Sequence, residues 1–396
     1  MGAPARQAGS VVRLVSQFLP LPQYLAFLET HLIGATMDRR AFLKSGIAAS
    51  VAASLPWRNA LAASDWRMYE VVTRIEVPFP KGVSRVWVPL PMTDDTEWHR
   101  SVGSSWSGNA ARTQVLSDGK YGASMLYAEW REAPALPQLE VTSQFATRER
   151  TVDPSRHNPD AERLGPADRE FFTAPTQYIP TDGIVRKTAQ GIVKGARTDV
   201  EKARAIYEWV VENTFRDPKV RGCGWGDIKA MLETGNLGGK CGDLNALFVG
   251  LARSVGVPAR DIYGLRVAPS VHGYRSLGVG TPNVTRAQHC RAEFFAQGRG
   301  WVPVDPADVR KVALEEPPGN LALKDPKVDA ARKRLFGNWE MNWLAYNGGH
   351  DIALPNSTGP KLPYLMYPNG ETGGERLDQL DPDAFKYAMT AREIKG

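Results

Sequence analysis

The sequence predicts an α+β fold in which helices come first and an antiparallel sheet follows, with a smaller all-β region ahead of both. Apolar residues recur at helical spacing over residues 200–211 and 244–255. Residues 261–267 and 287–304 then show strand patterns, and the second range contains a glycine-bearing turn. Residues 69–147 show short alternating apolar runs between turn residues. Helices followed by hairpin-connected strands are typical of an α+β core.

The segment before the first predicted strand carries an export signal. Residues 37–44, Met-Asp-Arg-Arg-Ala-Phe-Leu-Lys, form a twin-arginine motif, followed by a small-residue apolar stretch at 46–55 and Ala-Leu-Ala at 60–62. We interpret residues 37–62 as a signal peptide read by the twin-arginine translocation machinery, with a periplasmic destination. The apolar stretch is too short and alanine-rich for a stable span, so no membrane insertion is expected after cleavage. The alternative is an uncleaved amphipathic anchor.

Residues 1–36 precede this signal and form no recognisable domain. Because Met37 opens a signal of normal length, we expect these residues to be a non-native or disordered extension, with translation starting at Met37. A genuine extended n-region is the alternative.

Charge and cysteine content exclude several classes of function. The chain carries +6, but residues 1–62 hold six basic and two acidic side chains, which leaves about +2 for the remainder. No basic run with interleaved aromatic residues is present, so a nucleic-acid role has little support. Three cysteines are few for an exported chain of this size, and an odd count leaves at least one thiol free. The spacings typical of zinc and calcium sites are missing, and no cofactor is expected.

The first predicted domain covers residues 66–150 and is β in character. Its strand patterns are the alternation of Tyr69, Val71, Ile75 and Val77, the run 86–88, and residues 121–130 and 139–147. A small immunoglobulin-like sandwich is expected, acting as a spacer or packing partner rather than as a binding module.

A Pro-rich linker over 151–180 leads to the predicted catalytic core, residues 181–316. Thr198 and Glu201 form a capping box, which predicts the start of the first long helix. Its apolar face is expected to pack beside the second helix, which follows Cys241.

Cys241 precedes the most regular helix pattern of the chain. Residues 244–255 follow it with apolar side chains at i, i+3, i+4 and i+7 spacing, and Gly256 and Pro258 end the helix. A helix N-terminus favours an anion and lowers a thiol pKa, although Asp243 in the first turn opposes this effect. Cys241 is therefore a candidate nucleophile, and a buried structural cysteine is the alternative.

The candidate base and its orienting carboxylate lie on the predicted hairpin of residues 287–306. With a turn near Gln297, His289 and Asp305 become cross-strand neighbours on one face, and a later turn would loosen this register without separating them greatly. Taken singly, His289 is an ordinary strand histidine and Asp305 a residue that caps the following segment. Together with Cys241 they predict a Cys-His-Asp triad.

These stretches resemble the transglutaminase-like superfamily, whose core has a papain-like cysteine-protease fold. The resemblance rests on residues 239–243 with the helix to Arg253, on 256–260, on His289 with Glu293, and on 300–301 with 304–306. It implies a nucleophile at Cys241, a general base and acid at His289, and an orienting carboxylate at Asp305. The family usually has tryptophan two residues after the histidine. Here Arg291 stands in that place and is expected to make the adjoining wall more polar and cationic.

Two donors are candidates for an oxyanion hole. The backbone N–H of Cys241 belongs to the helix N-terminus, and the indole N–H of Trp225 lies upstream in a glycine-flanked segment. A packing anchor is the more common role for such a tryptophan.

Three further segments bear on the site. The glycine- and proline-bearing loop 268–285 separates two predicted strands and is placed to cover the cleft. Residues 317–396 are aromatic and irregular and resemble the tails of bacterial superfamily members that wrap around the core. His350 and Asp351 in this tail are interpreted as a local hydrogen-bonding feature outside the site.

These observations predict an exported cysteine enzyme that performs acyl transfer on an amide of a protein or peptide. Hydrolysis by water is favoured over cross-linking to an amine, because nothing in the chain marks a lysine-binding channel. The alternative is a catalytically silent scaffold that binds a partner in the cell envelope. The sequence leaves the substrate itself open.

Overall fold

The computed structural model describes residues 65–131 and 136–394, so the predicted extension 1–36 and the predicted signal peptide 37–62 lie outside the described residues. The strands are β1 (Arg67–Glu76), β2 (Ser84–Pro89), β3 (His99–Gly108), β4 (Arg112–Ser117), β5 (Ser124–Trp130), β6 (Gln138–Thr147), β7 (Arg150–Thr151), β8 (Phe215–Arg216), β9 (Gly238–Gly239), β10 (Ala259–Arg266), β11 (Gln288–Ala296), β12 (Gly300–Val304), β13 (Asn338–Trp339), β14 (Trp343–Asn347), β15 (Asn369–Thr372), β16 (Glu375–Arg376) and β17 (Lys386–Ile394). The helices are α1 (Pro166–Phe171), α2 (Gly183–Ile192), α3 (Asp199–Asn213), α4 (Ile228–Thr234), α5 (Cys241–Ser254), α6 (Pro306–Glu315) and α7 (Pro326–Arg334). None of these helices combines the length and the apolar character needed to cross a bilayer.

The region before the core is a β-sandwich. One antiparallel sheet has the strand order β17-β1-β6-β3, and the other has the order β16-β15-β2-β5-β4. Alternate residues of β1 are buried, as the period of two in its sequence predicts. The facing sides of the sheets share one apolar cluster, which includes Ile75, Val77, Val86, Val88, Leu126, Ala128, Leu139, Val141 and Phe385.

Both sandwich sheets contain strands from the C-terminal segment. Strand β17 pairs antiparallel with β1 along its whole length, and β15 pairs with β2. The N-terminal strands therefore bury their edges against residues that lie about 300 positions later in the chain.

The core places helices against one antiparallel sheet of order β12-β11-β10-β14. Helix α5 is the central helix: it is buried from Cys241 to Arg253 and contacts β11, α3 and α2. The capping box predicted for α3 is confirmed, because Thr198 Oγ1 accepts from Glu201 N and the Glu201 carboxylate accepts from Thr198 N. The apolar face of α3 packs beside α5, also as predicted. The α+β fold with a preceding β-sandwich is thus the fold observed.

A buried ion triad links strand β7, just after β6, to the core sheet. Glu293 on β11 is fully buried, with ion pairs of 2.5 Å to Arg150 and 2.6 Å to Arg260. The Arg150 guanidinium also lies 4.9 Å from the ring centroid of Trp98 and 4.7 Å from that of Trp339. Because a buried carboxylate needs charged partners, this triad fixes Arg150 against the core sheet.

Candidate active site

Cys241 is the first residue of α5, and its surroundings are built from tight backbone contacts. Gly242 N donates to Cys223 O at 2.8 Å, and a Cβ at Gly242 would lie 2.6 Å from that same oxygen. Gly224 has a φ of +89°, and a Cβ there would collide with the Asp243 carboxylate. Space therefore requires glycine at both positions, and the positive φ of Gly224 favours glycine there as well.

The Asp243 carboxylate near Cys241 is occupied by backbone hydrogen bonds. Its carboxylate accepts the backbone N–H groups of Gly226 and Lys240, each at 3.0 Å, and so ties the preceding loop to the first turn of α5. Burial raises the pKa of Asp243, and the two backbone donors counteract that rise.

The structure brings His289 and Asp305 into direct contact. His289 Nε2 lies 2.8 Å from Asp305 Oδ2, and both side chains are buried. The turn lies one residue later than predicted, because Ala292 pairs with Val304 and Phe294 with Val302. The expectation that His289 and Asp305 are cross-strand partners is therefore wrong in register. Asp305 instead follows the end of β12 and caps α6, so it both orients the histidine and begins the helix.

Two groups besides His289 donate hydrogen bonds to the Asp305 carboxylate. Its Oδ1 accepts from Asn245 Nδ2 at 3.2 Å and from Asp308 N at 3.0 Å. Asn245 also donates to Cys290 O at 3.0 Å and accepts from Ala307 N at 3.4 Å. The amide of Asn245, one turn after Cys241 on α5, thus fixes the triad carboxylate to the nucleophile helix.

All three thiols of the chain are free and buried, and they meet at Cys241. Hydrogen bonds with the Cys223 and Cys290 thiols, and then the hydrogen bond and charge of His289, hold the pKa of Cys241 well below its usual range despite its burial. The pKa of Cys223 is raised by its hydrogen bond with Cys241, and that of Cys290 by burial. Cys223 and Cys290 are two unpaired thiols and form no disulfide with each other.

The acidic and basic groups around His289 shift its pKa in opposite directions. Burial and the charge of Arg266 lower the pKa of His289, but Asp308 and Asp305 outweigh them, so it is raised overall. Burial and the nearby Asp308 raise the pKa of Asp305. Arg266 holds the pKa of Asp308 well below its usual range against the effect of burial. The site therefore favours an imidazolium at His289 beside a thiolate at Cys241.

Arg291 is buried behind the triad, so the expectation of a cationic cleft wall at this position is not met. Its exposed fraction is 2%, and its Nη1 donates to Glu340 O at 2.7 Å. Its guanidinium lies 4.7 Å from the Trp343 ring centroid, and its Nε lies 3.9 Å from Asp305 Oδ2. Burial lowers the pKa of Arg291 to about 10, which still leaves it charged at neutral pH. Arg291 therefore acts on the triad carboxylate rather than on solvent.

A small cavity reaches Gly242, next to the nucleophile. Four aromatic side chains line it, those of Tyr178, Trp225, Tyr263 and Tyr364. Trp225 is 64% exposed with its ring 6.1 Å from that of Tyr178, so it is a rim residue rather than a buried anchor. Its role as an oxyanion donor, and that of the Cys241 backbone N–H, stay predictions.

His350 and Asp351, which the sequence interpretation left outside the site, also line this cavity. His350 Nδ1 lies 3.3 Å from the Tyr263 hydroxyl, and its Nε2 lies 3.5 Å from Asp261 Oδ2. Burial holds the pKa of His350 well below its usual range and raises that of Asp261 to about 7. The cavity thus has a neutral histidine in its wall.

His289, Asp305 and Asp308 could together be mistaken for a metal site, since their donor atoms lie within 4.8 Å of one another. However, a single nitrogen of Arg266, Nη2, lies 2.6 Å from both oxygens of Asp308. The Asp305 oxygens already accept from His289, Asn245 and Asp308. The donor atoms of this group are therefore satisfied within the protein.

The sequence analysis did not place Asn245, Asp308 or Arg266 in the site. Asn245 follows Cys241 by four positions, which places it on the same helix face. Asp308 follows Asp305 by three positions in the first turn of α6. Helical spacing could therefore have identified both residues, whereas Arg266 comes from β10 and is found only through the sheet register.

Comparison with known proteins agrees with the fold. Residues 186–306, which contain Cys241, His289 and Asp305, match the transglutaminase-like superfamily. A protein of Haemophilus influenzae described as uncharacterized is 36% identical over 349 residues, covering 84% of this chain and 93% of its own. The chain belongs to the transglutaminase-like superfamily.

The solved structures that resemble this chain are more distant. A candidate cysteine protease from Cytophaga hutchinsonii has a TM-score of 0.49 at 14% identity, covering 83% of this chain and 99% of its own. The periplasmic domain of TgpA from Pseudomonas aeruginosa has a TM-score of 0.30 at 14% identity, covering 64% of this chain and 91% of its own.

Proposed function

We propose that this protein is a cysteine enzyme that performs acyl transfer on amide bonds of a protein or peptide, with hydrolysis as its main outcome. The observation that carries the proposal is the contact of His289 with Asp305 beside a thiol whose surroundings favour the thiolate. A nucleophile, a base and an orienting carboxylate are the parts that such a reaction requires.

The proposed reaction begins with the Cys241 thiolate attacking the amide carbonyl carbon. As the C–N bond breaks, the His289 imidazolium gives its proton to the leaving amine and a thioester remains on Cys241. Because Nε2 of His289 faces Asp305, Nδ1 is the ring nitrogen left to exchange this proton. Water then attacks the thioester while His289 takes a proton from it. The products are a carboxylic acid and the restored Cys241 thiolate with His289 as imidazolium.

Resolution by a primary amine would instead produce a new amide and make the protein a cross-linker. Water is favoured because of its high concentration. The small cavity beside Gly242 is the place where we expect part of the substrate to bind, since it adjoins the nucleophile and combines aromatic side chains with the polar groups of His350 and Asp351.

The proposal is tested by incubating the protein with a pool of protein and peptide substrates in ¹⁸O-labelled water that also contains a fluorescent primary amine. Mass spectrometry then separates ¹⁸O-labelled carboxyl products from amine conjugates. Wild type should yield mainly labelled carboxyl groups, and the Cys241→Ala and His289→Ala variants should yield neither product. Equal product from Cys241→Ala would reject the nucleophile. A thiol that reacts with no electrophilic probe would favour the silent scaffold instead.

We also propose that the protein acts in the periplasm after export by the twin-arginine translocation machinery. The support is the motif at residues 37–44 with its following apolar stretch. A periplasmic enzyme of this kind would meet cell-envelope peptides and exported proteins as substrates.

A further inference from the structure

The histidine of the triad is approached by a second carboxylate at the same ring nitrogen. Asp308 Oδ2 lies 3.4 Å from His289 Nε2, on the nitrogen that Asp305 Oδ2 contacts at 2.8 Å. The Asp308 backbone N–H also donates to Asp305 Oδ1 at 3.0 Å. One residue in the first turn of α6 thus contacts both members of the His-Asp pair.

Asp308 is held in this place by Arg266 at the end of β10. Arg266 Nη2 lies 2.6 Å from each Asp308 oxygen, and both side chains are almost fully buried. Arg266 Nη1 also donates to Leu277 O in the loop between β10 and β11. The position of Asp308 is therefore fixed from outside the hairpin that carries His289.

We propose that Asp308 is a second positioning carboxylate for His289, so that two carboxylates rather than one orient the imidazole. Arg266 balances the charge of Asp308 and holds it in place. The proposal rests on the function proposed above for Cys241 and His289. Asp308 acts through His289 and Asp305 and does not itself touch the reacting atoms.

The charges around His289 explain why both members of the ion pair are needed. The groups that face the site are Asp305 and Asp308 at the start of α6, Arg266 on β10, Arg291 on β11 and Cys241 on α5. With two carboxylates and two guanidinium groups, the surroundings are neutral, and a thiolate-imidazolium pair adds no net charge. Removing either Asp308 or Arg266 leaves one buried charge unbalanced next to His289.

The test measures the pKa of His289, from NMR titration of its ring, and the alkylation of Cys241 by iodoacetamide, neither of which needs a substrate. Asp308→Asn leaves Arg266 uncompensated, so the pKa of His289 should fall by at least about one pH unit relative to wild type. Arg266→Met leaves Asp308 uncompensated, so the pKa of His289 should rise. Opposite shifts of this pKa support the proposal. An unchanged pKa in both variants, or shifts in the same direction, overturn it.

A second comparison applies even where a single variant does not fold. The paired variant Arg266→Met with Asp308→Leu removes both charges, a change that buried ion pairs often tolerate. Asp305→Asn is then introduced into wild type and into the paired variant. Its effect on the alkylation rate at neutral pH should be at least threefold larger in the paired background, because His289 then has no carboxylate. Equal effects overturn the proposal. Substrate turnover is recorded separately. If the amide reaction fails while His289 and Cys241 give the results expected above, only the proposed function is contradicted.

Discussion

Asp305 Oδ2 lies 2.8 Å from His289 Nε2 at the junction where strand β12 ends and helix α6 begins. The carboxylate therefore has a structural role in the helix start as well as a proposed role in orienting the histidine. These two roles can be separated by substitution, because asparagine caps a helix well and alanine does not.

Removing Asp305 should reduce activity less than removing either reacting group. Cys241→Ala and His289→Ala should each approach background, since nucleophile and base act as a unit. Asp305→Ala should retain about 10-fold more activity than these. Asp305→Asn keeps the cap but lowers the pKa of His289, because the imidazolium loses a charged partner. The measurement is rate against pH for the four variants. A wild-type profile for Asp305→Asn would make Asp305 a capping residue alone.

Cys241 should be the thiol that iodoacetamide labels fastest in the folded protein. Its pKa lies well below its usual range, whereas those of Cys223 and Cys290 lie well above theirs. As the pH is lowered from about 8.5 to neutral, an ordinary thiol loses reactivity in proportion to its thiolate fraction, and Cys241 should not. Peptide mapping after short labelling identifies the site, with Cys241→Ala as control. Comparable labelling of Cys290 in the folded state would contradict the expectation.

Asp261 should make the protein less stable as pH rises. Its pKa is raised to about 7 by burial, and neither carboxylate oxygen accepts a hydrogen bond within the described structure. A raised pKa means that the folded state binds the proton more tightly, so stability is lost between the unfolded value near 3.9 and the folded value. The Asp261→Asn variant has no carboxyl to ionise, so it should not lose stability in this pH range. Its stability advantage over wild type should grow by up to about 4 kcal/mol between pH 4 and pH 8 in urea unfolding. A pH-independent difference would show that the carboxyl is not buried as described.

Glu293→Gln should be strongly destabilising, because it leaves Arg150 and Arg260 without their buried carboxylate. Loss of one partner of a buried ion pair costs about 3–5 kcal/mol. A matched control is Glu140→Gln, which removes an exposed ion pair with Arg74. The Arg74 side chain is 58% exposed and that of Glu140 is 43% exposed. That change should cost less than about 1 kcal/mol. The free energy of unfolding of both variants is measured in urea at neutral pH. Similar losses of stability in the two variants would refute the role assigned to the buried ion triad of Glu293, Arg150 and Arg260.

Export should depend on the arginine pair at residues 39–40. The Arg39→Lys, Arg40→Lys double variant should accumulate as precursor in the cytoplasm, because the translocation machinery recognises the pair rather than the charge. Deletion of residues 1–36 should leave export unchanged. Immunoblots of cytoplasmic and periplasmic fractions measure both outcomes. Periplasmic double variant would indicate another export route.

The parts of the fold that follow from local pattern were predictable. Helix α5 and the capping box of α3 follow from residue spacing, and the His289 hairpin follows from its glycine-bearing turn. The turn centre was predicted one residue too early, and the cross-strand partners were therefore wrong by two residues, because the turn chemistry near Gly298 does not fix its centre from sequence alone. Arg266 and Arg291 were beyond prediction for a different reason. Charged residues usually face solvent, and their burial here depends on partners from distant strands.

The pairing of β17 with β1 determines when the molecule can fold during its synthesis. Residues 67–147 emerge from the ribosome early, yet the edge of β1 stays open until residues 386–394 have been translated. Domains usually fold as units while the chain grows, N-terminal part first. Here the first domain to be made waits for residues 386–394, so the complete sandwich forms only after these residues have left the ribosome. Until then a nascent chain exposes the β1 edge to chaperones or to other chains.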